Sequence, residues 1–423
     1  MMLPALSAVR RWPAWWWLAG LAIVFLIRFP VHFAYSNPYL MDFEVYRAVA
    51  VRLAQGGGAA LYTPATDVVM VFKYAPCWAI AWIPLAWLSS HTGSILWLTL
   101  TVLWLILACW GTLRLCERAG LPSPGWIAPL AVGVLVRPLT AEFLNGQVDV
   151  LWVLLVIAFL LDEGAGRTRR AAVWLSLAIS LKLPAMIFLA ALIVRGRWRL
   201  TAWVIGVSVA LNLTACAILS PANPFALLDA WSQVLWSSGV ARAFEIGNQS
   251  LFALAGRFLS ADGYRLNLMA LPPLSVTLVG LAALGLLFAL SLTPQTIDRP
   301  QRLPIFDAAL LTIVMTVGSP TVWVATYSAL LFPVSLALAA IARRPSAIAG
   351  DAARLGAGLA TLALSAMTHS SLWKTLGIRY VRGESYVFLV LMVLPWLALA
   401  LFFFLWRQRS ANLVLIVPEA SGT

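Results

Sequence analysis

Long continuous apolar runs dominate the chain, and short polar or basic stretches separate them. The first run, residues 12–33, is too long for a signal-peptide core and lacks a small-residue cleavage site, so it should remain as a transmembrane helix. Runs of roughly 18 or more apolar residues are typical of membrane-spanning helices, whereas barrel strands show short alternating segments. The pattern predicts an all-α, polytopic transmembrane helical bundle of roughly 11 to 13 membrane segments. Beyond the first run, spans are predicted near residues 95–115, 126–143, 148–162, 199–219, 274–293, 304–318, 322–341, 352–367 and 385–406.

Two apolar segments are not predicted to cross the bilayer as single helices. Residues 76–88 are short and contain two prolines. Residues 171–194 lie between the arginine-rich loops 167–170 and 195–199, which are both expected in the cytoplasm. The chain should therefore enter and return as two half-helices, with the sequence Lys182-Leu183-Pro184 at the turn.

The positions of the arginines predict the orientation of the bundle. The chain has 29 basic and 16 acidic residues, for a net charge of +13, and most arginines lie in short loops beside apolar spans. The positive-inside rule then puts both termini and the arginine-rich loops in the cytoplasm. Residues 35–73 and 220–270 should lie on the far side, where residues 42–55 are predicted to form a short helix along the membrane surface.

One conflict remains in this topology. Arg114 and Arg118 should be cytoplasmic, but two crossings within 76–115 would return the chain to the far side. Either 76–88 is a re-entrant segment or the basic rule fails here.

Composition excludes several other classes of protein. Hydrophobic residues make up 62% of the chain and charged residues 11%, against about 25% charged in soluble domains. We therefore expect a single integral membrane domain, 1–423, without a soluble domain. A basic stripe with interleaved aromatic residues would indicate a nucleic-acid partner. The sequence shows no such stripe, so nucleic acid is not expected as a partner. The four cysteines have no zinc spacing, and the ratio of 26 arginines to 3 lysines is typical of a bacterial protein, which predicts the bacterial inner membrane.

Polar and ionisable residues at membrane depth are functional candidates by default. Several lie on the predicted far face, where a carboxylate, cations and amides would suit an anionic lipid headgroup and a polar acceptor. The candidate site residues are Asp42, Glu44, Lys73, Tyr74, Arg137, Gln147, Lys182, Asn248, Gln249 and Trp323.

Structural interpretations compete with each of these roles. Asp42 is a favourable N-cap for the helix predicted to follow it. Lys182 could extend its ammonium group to an interface. Tyrosines and tryptophans such as Tyr74 and Trp323 are commonly interfacial anchors.

Six short motifs in order give the chain a family resemblance. Asp42-Phe-Glu-Val-Tyr46 and Phe72-Lys73-Tyr74-Ala-Pro76 resemble the first loop of bacterial GT-C glycosyltransferases of family eighty-seven. The likeness spans residues 13 to about 335, and the helices of 336–410 add only hydrophobicity. The other four motifs are Asn145-Gly146-Gln147-Val148, Leu181-Lys182-Leu183-Pro184, Gly247-Asn248-Gln249-Ser250-Leu251 and Ser319-Pro320-Thr321-Val322-Trp323.

The resemblance implies an inverting transfer of a hexose, with mannose expected, from a polyprenyl-phosphate sugar to a hydroxyl of a lipid or glycan at the extracytoplasmic face. In that family the first-loop aspartate is the proposed general base, and Asp42 is the matching residue. Lys182, Arg137 and Lys73 are the cations available to the leaving phosphate, and Gln147 and Asn248 are available donors.

The chain departs from the family pattern at two points. Ala325 and Thr326 stand where mycobacterial relatives have a histidine pair, and Asp149 replaces the usual asparagine. The spaced pair Asp42 and Glu44 also resembles a metal-binding pair of some GT-C enzymes. Two carboxylates alone are a poor Mg²⁺ or Mn²⁺ site unless phosphate oxygens complete the shell, so a divalent metal stays an alternative. No cofactor is expected.

Two other functions remain open at this point. A transporter or flippase for an anionic lipid-linked sugar would also bury cations, but no internal repeat is visible. A non-catalytic assembly partner would have no need of Asp42.

Overall fold

The computed structural model describes residues 13–36, 39–63, 70–239, 247–260, 269–292, 302–343 and 393–413, with isolated positions between 242 and 245 and between 350 and 385. These residues are almost entirely helical, which confirms the all-α prediction. A two-residue pairing joins Tyr380–Val381 (β1) to Glu384–Ser385 (β2). The span predicted at 352–367 and the arginines at 10, 11, 299 and 344 lie outside the described residues.

The helices are numbered here in chain order. They are α1 Ala14–Ser36, α2 Met41–Ala54, α3 Pro76–Trp82, α4 Ser90–Arg118, α5 Ile127–Val134, α6 Val136–Asn145, α7 Asp149–Gly164, α8 Thr168–Leu181, α9 Met186–Val194, α10 Trp198–Leu219, α11 Pro224–Gly239, α12 Leu251–Leu259, α13 Pro273–Ser291, α14 Ile305–Val317, α15 Leu331–Arg343 and α16 Val393–Leu413. Short 3₁₀ turns precede α9 and α15.

Five helical segments in the described part of the chain are long and apolar enough to cross a membrane. They are Ala14–Ser36, Ser90–Arg118, Trp198–Leu219, Pro273–Ser291 and Val324–Arg343. In the last of these, 89% of the residues of the apolar stretch are buried, so it forms the centre of the bundle. In α10 and α13 the buried share is 17% and 22%, so these helices present apolar side chains to lipid. The pair α5 and α6 would count as a sixth span, but it bends by 72° at Leu135.

The first span contains one local distortion. Its middle, Ile27–Val31, is a π-helical turn that includes Pro30. Proline lacks an N–H and its ring clashes with the carbonyl one turn earlier, so the helix widens there and continues to Ser36.

Residues 168–194 enter the bundle and return, as the arginine loops predicted. Helix α8 ends at Leu181, Lys182 is extended, and a 3₁₀ turn containing Pro184 starts the return through α9. Both ends of this hairpin lie together, because Arg167 donates to Asp162 at 2.5 Å and Arg197 donates to the adjacent Glu163 at 2.7 Å.

The structure also resolves the conflict over Arg114 and Arg118. Helix α3 and the 3₁₀ turn Ile83–Trp87 pack on α2 and do not cross the bundle. Helix α4 then carries the chain to the arginine loops, where Arg118 Nη1 donates to the carbonyl of Leu161 at 2.6 Å. Segment 76–88 is thus the segment that does not cross, and Arg118 lies at the same end of the bundle as the loop 162–170.

Arginines from five parts of the chain gather at this one end of the bundle, called here the basic end. It comprises Arg114, Arg118, Asp162, Glu163, Arg167, Arg170, Arg195, Arg197, Arg302, Asp307 and Arg409. Helix α7 separates it by about 20 Å from Asp149, which lies at the other end.

Candidate active site at the far end of the bundle

Asp42 lies in the first turn of α2, inside the helix. The N-cap is Leu40, and no side chain caps the helix start. The N-cap interpretation of Asp42 is therefore wrong, and the helix begins at Met41 instead. The side chain is part-buried, and its Oδ2 atom is inaccessible to solvent and without a hydrogen-bond partner.

The end of α6 brings Gln147 to Asp42. Gly146 has φ of 70°, and a Cβ atom there would meet Phe43 Cβ at 2.9 Å, so glycine permits both the left-handed turn and the close approach to α2. The amide of Gln147 donates to the carboxylate of Asp42. The N–H of Gln147 closes the turn by donating to the carbonyl of Glu142 at 3.0 Å.

Lys182 meets the start of α7 at the turn of the re-entrant hairpin. Its ammonium donates to Oδ1 of Asp149, while Oδ2 of Asp149 is buried and has no partner. The Lys182 side chain keeps 21% of its exposure, whereas that of Asp149 is fully buried. The ring of Trp152 lies 5.8 Å away. Lys182 is thus held inside the group, which contradicts the interpretation that it only reaches for an interface.

Glu142 is a buried acid that sequence reasoning missed. Its Oε1 accepts from the N–H of Val150 at 3.0 Å, so it satisfies one of the N–H groups in the first turn of α7 that have no partner within the helix. Its Oε2 is buried without a partner. The available signal was an ionisable residue within an apolar span, and the bend at Leu135 is what turns it toward Asp149.

The pKa of Asp42 reflects this environment. Burial raises it from 3.8 to about 6, and the negative charge of Asp149 raises it as well. The hydrogen bond from Gln147 and the positive charges of Lys182 and Lys73 act in the opposite direction. The carboxylate is therefore mostly ionised at neutral pH but is a stronger base than an exposed aspartate.

Lys73 and Tyr74 enter the same region from the end of the first loop. The carbonyl of Lys73 accepts from Trp231 Nε1 at 3.0 Å, and burial together with the charge of Arg242 lowers the Lys73 pKa. The hydroxyl of Tyr74 shares a hydrogen bond of 2.9 Å with that of Tyr46. Lys73 thus supplies a second positive charge near Asp42, while Tyr74 is held within an aromatic cluster.

Glu44 points away from this group. Its Oε2 accepts from Arg47 at 3.0 Å, and its Oε1 accepts from Ser90. Residues two apart on a helix face different directions, so Asp42 and Glu44 do not form a paired site. In the part of the chain that the structure describes, no group of three or more His, Cys, Asp or Glu side chains could hold a metal ion.

Asn248 joins two loops at this end of the bundle. Its amide donates to the carbonyl of Pro320 at 2.7 Å and accepts from the N–H of Val322 at 2.9 Å. The N–H of Gln249 donates to the carbonyl of Val322 at 2.7 Å, and the Gln249 carbonyl accepts from Tyr327 at 2.6 Å. Both ends of the Asn248 amide are occupied by the protein, which indicates a clamping role.

Trp323 and Arg137 are the remaining two of the predicted site residues. Trp323 follows the clamped segment, and its carbonyl accepts from the N–H of Thr326 at 3.0 Å. Arg137 is buried at the start of α6, about 12 Å along the helix from Asn145. The structure thus brings together Asp42, Gln147 and Lys182 and adds the charge of Lys73, whereas neither Trp323 nor Arg137 is among the groups that act on the pKa of Asp42.

This arrangement has the parts that a group transfer to a hydroxyl needs. Asp42 can accept a proton through a carboxylate oxygen that has no protein partner. Lys182 and Lys73 can hold a developing negative charge on a leaving group.

Comparison with known proteins indicates a glycosyltransferase. The chain is similar to the polyprenol-phosphate-mannose-dependent alpha-(1-2)-phosphatidylinositol mannoside mannosyltransferase of Mycolicibacterium smegmatis (strain ATCC 700084 / mc(2)155), with 25% identity over 381 residues that cover 83% of this chain and 81% of the relative. Residues 72–320, more than half of the chain, match Glycosyltransferase family 87. The resemblance seen in the sequence is confirmed, and this multi-pass membrane protein belongs to glycosyltransferase family 87.

Proposed function

We propose that this glycosyltransferase moves a hexose, mannose in the first instance, from a polyprenyl-phosphate sugar to a hydroxyl of a lipid or glycan acceptor. The transfer inverts the anomeric configuration and takes place at the extracytoplasmic face of a bacterial inner membrane. Asp42 is the general base.

The observation that supports this proposal is the buried, unpartnered Oδ2 of Asp42 beside two lysines. The acceptor hydroxyl donates its proton to Asp42 as its oxygen attacks the anomeric carbon. The bond from that carbon to the phosphate oxygen breaks with its electron pair, and Lys182 and Lys73 stabilise the phosphate dianion that leaves. Gln147 holds the Asp42 carboxylate in place through its hydrogen bond.

The orientation rests on the distribution of arginine. The candidate site and the basic end lie at opposite ends of α7, about 20 Å apart. Because the basic end should be cytoplasmic, the site should face the other side.

The donor and acceptor classes draw on the relative as well as on the site. Its name states a polyprenol-phosphate-mannose donor and a phosphatidylinositol mannoside acceptor. Lys182 and Lys73 suit the phosphate of such a donor. Ala325 and Thr326 are buried where mycobacterial relatives have a histidine pair. Because this chain lacks that pair, we propose a lipid or glycan hydroxyl as the acceptor class and not one particular acceptor.

The test is a transfer assay with purified protein in lipid, using polyprenyl-phosphate mannose and polyprenyl-phosphate glucose with a panel of membrane-lipid acceptors. Asp42→Asn should lower turnover by about 10²–10⁴-fold. Asp229→Asn is the matched control, because Asp229 is an exposed acid on α11 that accepts a hydrogen bond from Gln233. The turnover of this variant should stay within about twofold of wild type.

Three results decide between the alternatives. More than a tenth of wild-type turnover in folded Asp42→Asn would remove Asp42 as the base. Movement of the lipid-linked sugar across the bilayer without transfer would favour a flippase. Because lysines are the proposed cations, adding EDTA should change turnover by no more than about twofold. A loss of turnover in EDTA that Mg²⁺ restores would require a metal ion in the transfer step.

A further inference from the structure

One outer face of α4 changes from apolar to basic along its length. Large apolar side chains that are 41–51% exposed follow one another on this face at helical spacing, and arginines continue the same face toward the basic end. In order, the face comprises Leu96, Leu103, Leu107, Trp110, Arg114 and Arg118. Since α4 is a candidate span, the apolar part of this face meets lipid chains and the arginines meet the headgroup region.

An open cavity of about 480 Å³ lies where this face becomes basic. Trp110 and Leu161 form its apolar side, and Arg114, Arg118 and Arg167 form its polar side together with Glu117. Three arginines and one glutamate leave the lining with a net positive charge.

The arginines of the cavity are oriented by protein partners and still have donors to offer. Arg118 Nη1 donates to the Leu161 carbonyl at 2.6 Å, and Arg167 Nε donates to Asp162 at 2.5 Å. Arg114 lies over the ring of Trp110 at 5.6 Å and donates to Glu117 at 2.9 Å. A guanidinium group has five N–H donors, so each arginine retains capacity for a phosphate oxygen.

We propose that this cavity binds the phosphate of an anionic phospholipid from the leaflet at the basic end. The phosphate contacts Arg114, Arg118 and Arg167, and one acyl chain lies along the apolar face from Trp110 to Leu96. The continuous change from apolar to basic on one helix face is what distinguishes a bound lipid from a free anion, which would have no use for the apolar part. This site is separate from the proposed transfer site and does not depend on it.

The test measures lipid retention by native mass spectrometry on the full-length protein in a mild detergent. The probes are phosphatidylglycerol, phosphatidylcholine with the same acyl chains, and glycerol phosphate. Phosphatidylglycerol should bind most tightly. Arg114→Gln with Arg118→Gln should weaken its binding by about 25-fold, at about fivefold for each arginine.

Arg199→Gln is the matched control, because Arg199 is an exposed arginine near the same end and does not line the cavity. Its binding should change by less than twofold. The single change Arg114→Gln, at a side chain that is 54% exposed, should weaken binding about fivefold and keeps the test decisive if the double variant does not fold.

Three results would overturn the proposal. They are an equal loss in Arg199→Gln, equal retention of phosphatidylcholine, and binding of glycerol phosphate as tight as that of the whole lipid.

Discussion

Carboxylates are buried at both ends of the bundle, but their oxygens differ in whether they have hydrogen-bond partners. At the basic end, both oxygens of each buried carboxylate have a protein partner. Asp162 accepts from Arg167, Arg170 and Trp174; Glu163 accepts from Arg197 and the N–H of Leu303; Asp307 accepts from Arg195 and Arg409. At the candidate site, Asp42, Glu142 and Asp149 each have one buried oxygen without a partner.

The carboxylates of the basic end have a structural explanation in their partners, and those of the candidate site do not. A buried polar atom without a partner costs about 1–3 kcal/mol, and more when it is charged, so three such oxygens in one place destabilise the fold. A site that receives a proton and a phosphate needs acceptor atoms without protein partners and a cation close by. The paired carboxylates of the basic end instead tie α7, α9, α14 and α16 together.

The largest expected effect tests the structural end. Asp307→Asn leaves Arg195 and Arg409 as buried cations without their carboxylate, so the free energy of unfolding should fall by about 3–5 kcal/mol. Turnover per folded molecule should stay within about twofold. Thermal and denaturant unfolding in detergent, with activity corrected for the folded fraction, measure both.

Glu117→Gln is the control for this prediction, because the Arg114–Glu117 pair is exposed at 54% and 46%. Its loss should be below about 1 kcal/mol. A change as small in Asp307→Asn would mean that the buried ion pairs do not tie the helices together.

The second prediction tests the cation of the candidate site. Lys182→Met combined with Asp149→Asn removes both charges of the buried pair, so stability should remain near that of the wild type. Losing the cation should lower kcat/KM for the polyprenyl-phosphate donor by about 10²–10³-fold. Lys182→Met alone leaves Asp149 buried without its cation and should also lose stability. Unchanged donor kinetics in the folded double variant would remove Lys182 from the site.

The third prediction concerns the cost of Asp42 to the fold. Its pKa rises from 3.8 in the unfolded chain to about 6 in the folded protein, so the fold disfavours the ionised form. This penalty is absent below pH 4, grows between pH 4 and 6, and is complete above pH 6. Asp42→Asn should therefore be more stable than the wild type at pH 7.5, by at most about 3 kcal/mol, and equally stable at pH 4. Lower stability of the variant at pH 7.5 would show that Asp42 has a structural role.

The smallest effect is the pH dependence of the reaction. Because a general base must be ionised, kcat/KM should fall about tenfold for each pH unit below about 6. The wild-type protein should remain folded over this range, since protonation of Asp42 relieves its own penalty. The residual activity of Asp42→Asn should lack this limb. A profile that is flat from pH 5 to 7 would contradict the assignment.

Much of the fold followed from the pattern of the chain. The hairpin at Lys182 was predictable because arginines flank a segment too short for two crossings. The path of 76–88 was not, because an apolar segment of that length fits either a surface or a half-crossing. Glu142 escaped notice because residues 126–143 look like one straight span, and the bend at Leu135 depends on packing between α5 and α6 and their neighbours.

By itself, the sequence determined the helical membrane class and the position of the basic end. In lipid, backbone N–H and C=O groups can form hydrogen bonds only within their own helix, so long apolar runs become helices. Arginines in short loops stay on one side of the membrane, so their positions predict one end of the bundle. Only the tertiary structure decided which charges meet. Lys182 pairs with Asp149 across 33 residues, and Arg195 with Asp307 across 112. Such pairing depends on the rotation and depth of each helix against its neighbours, and those are set by packing across the whole bundle.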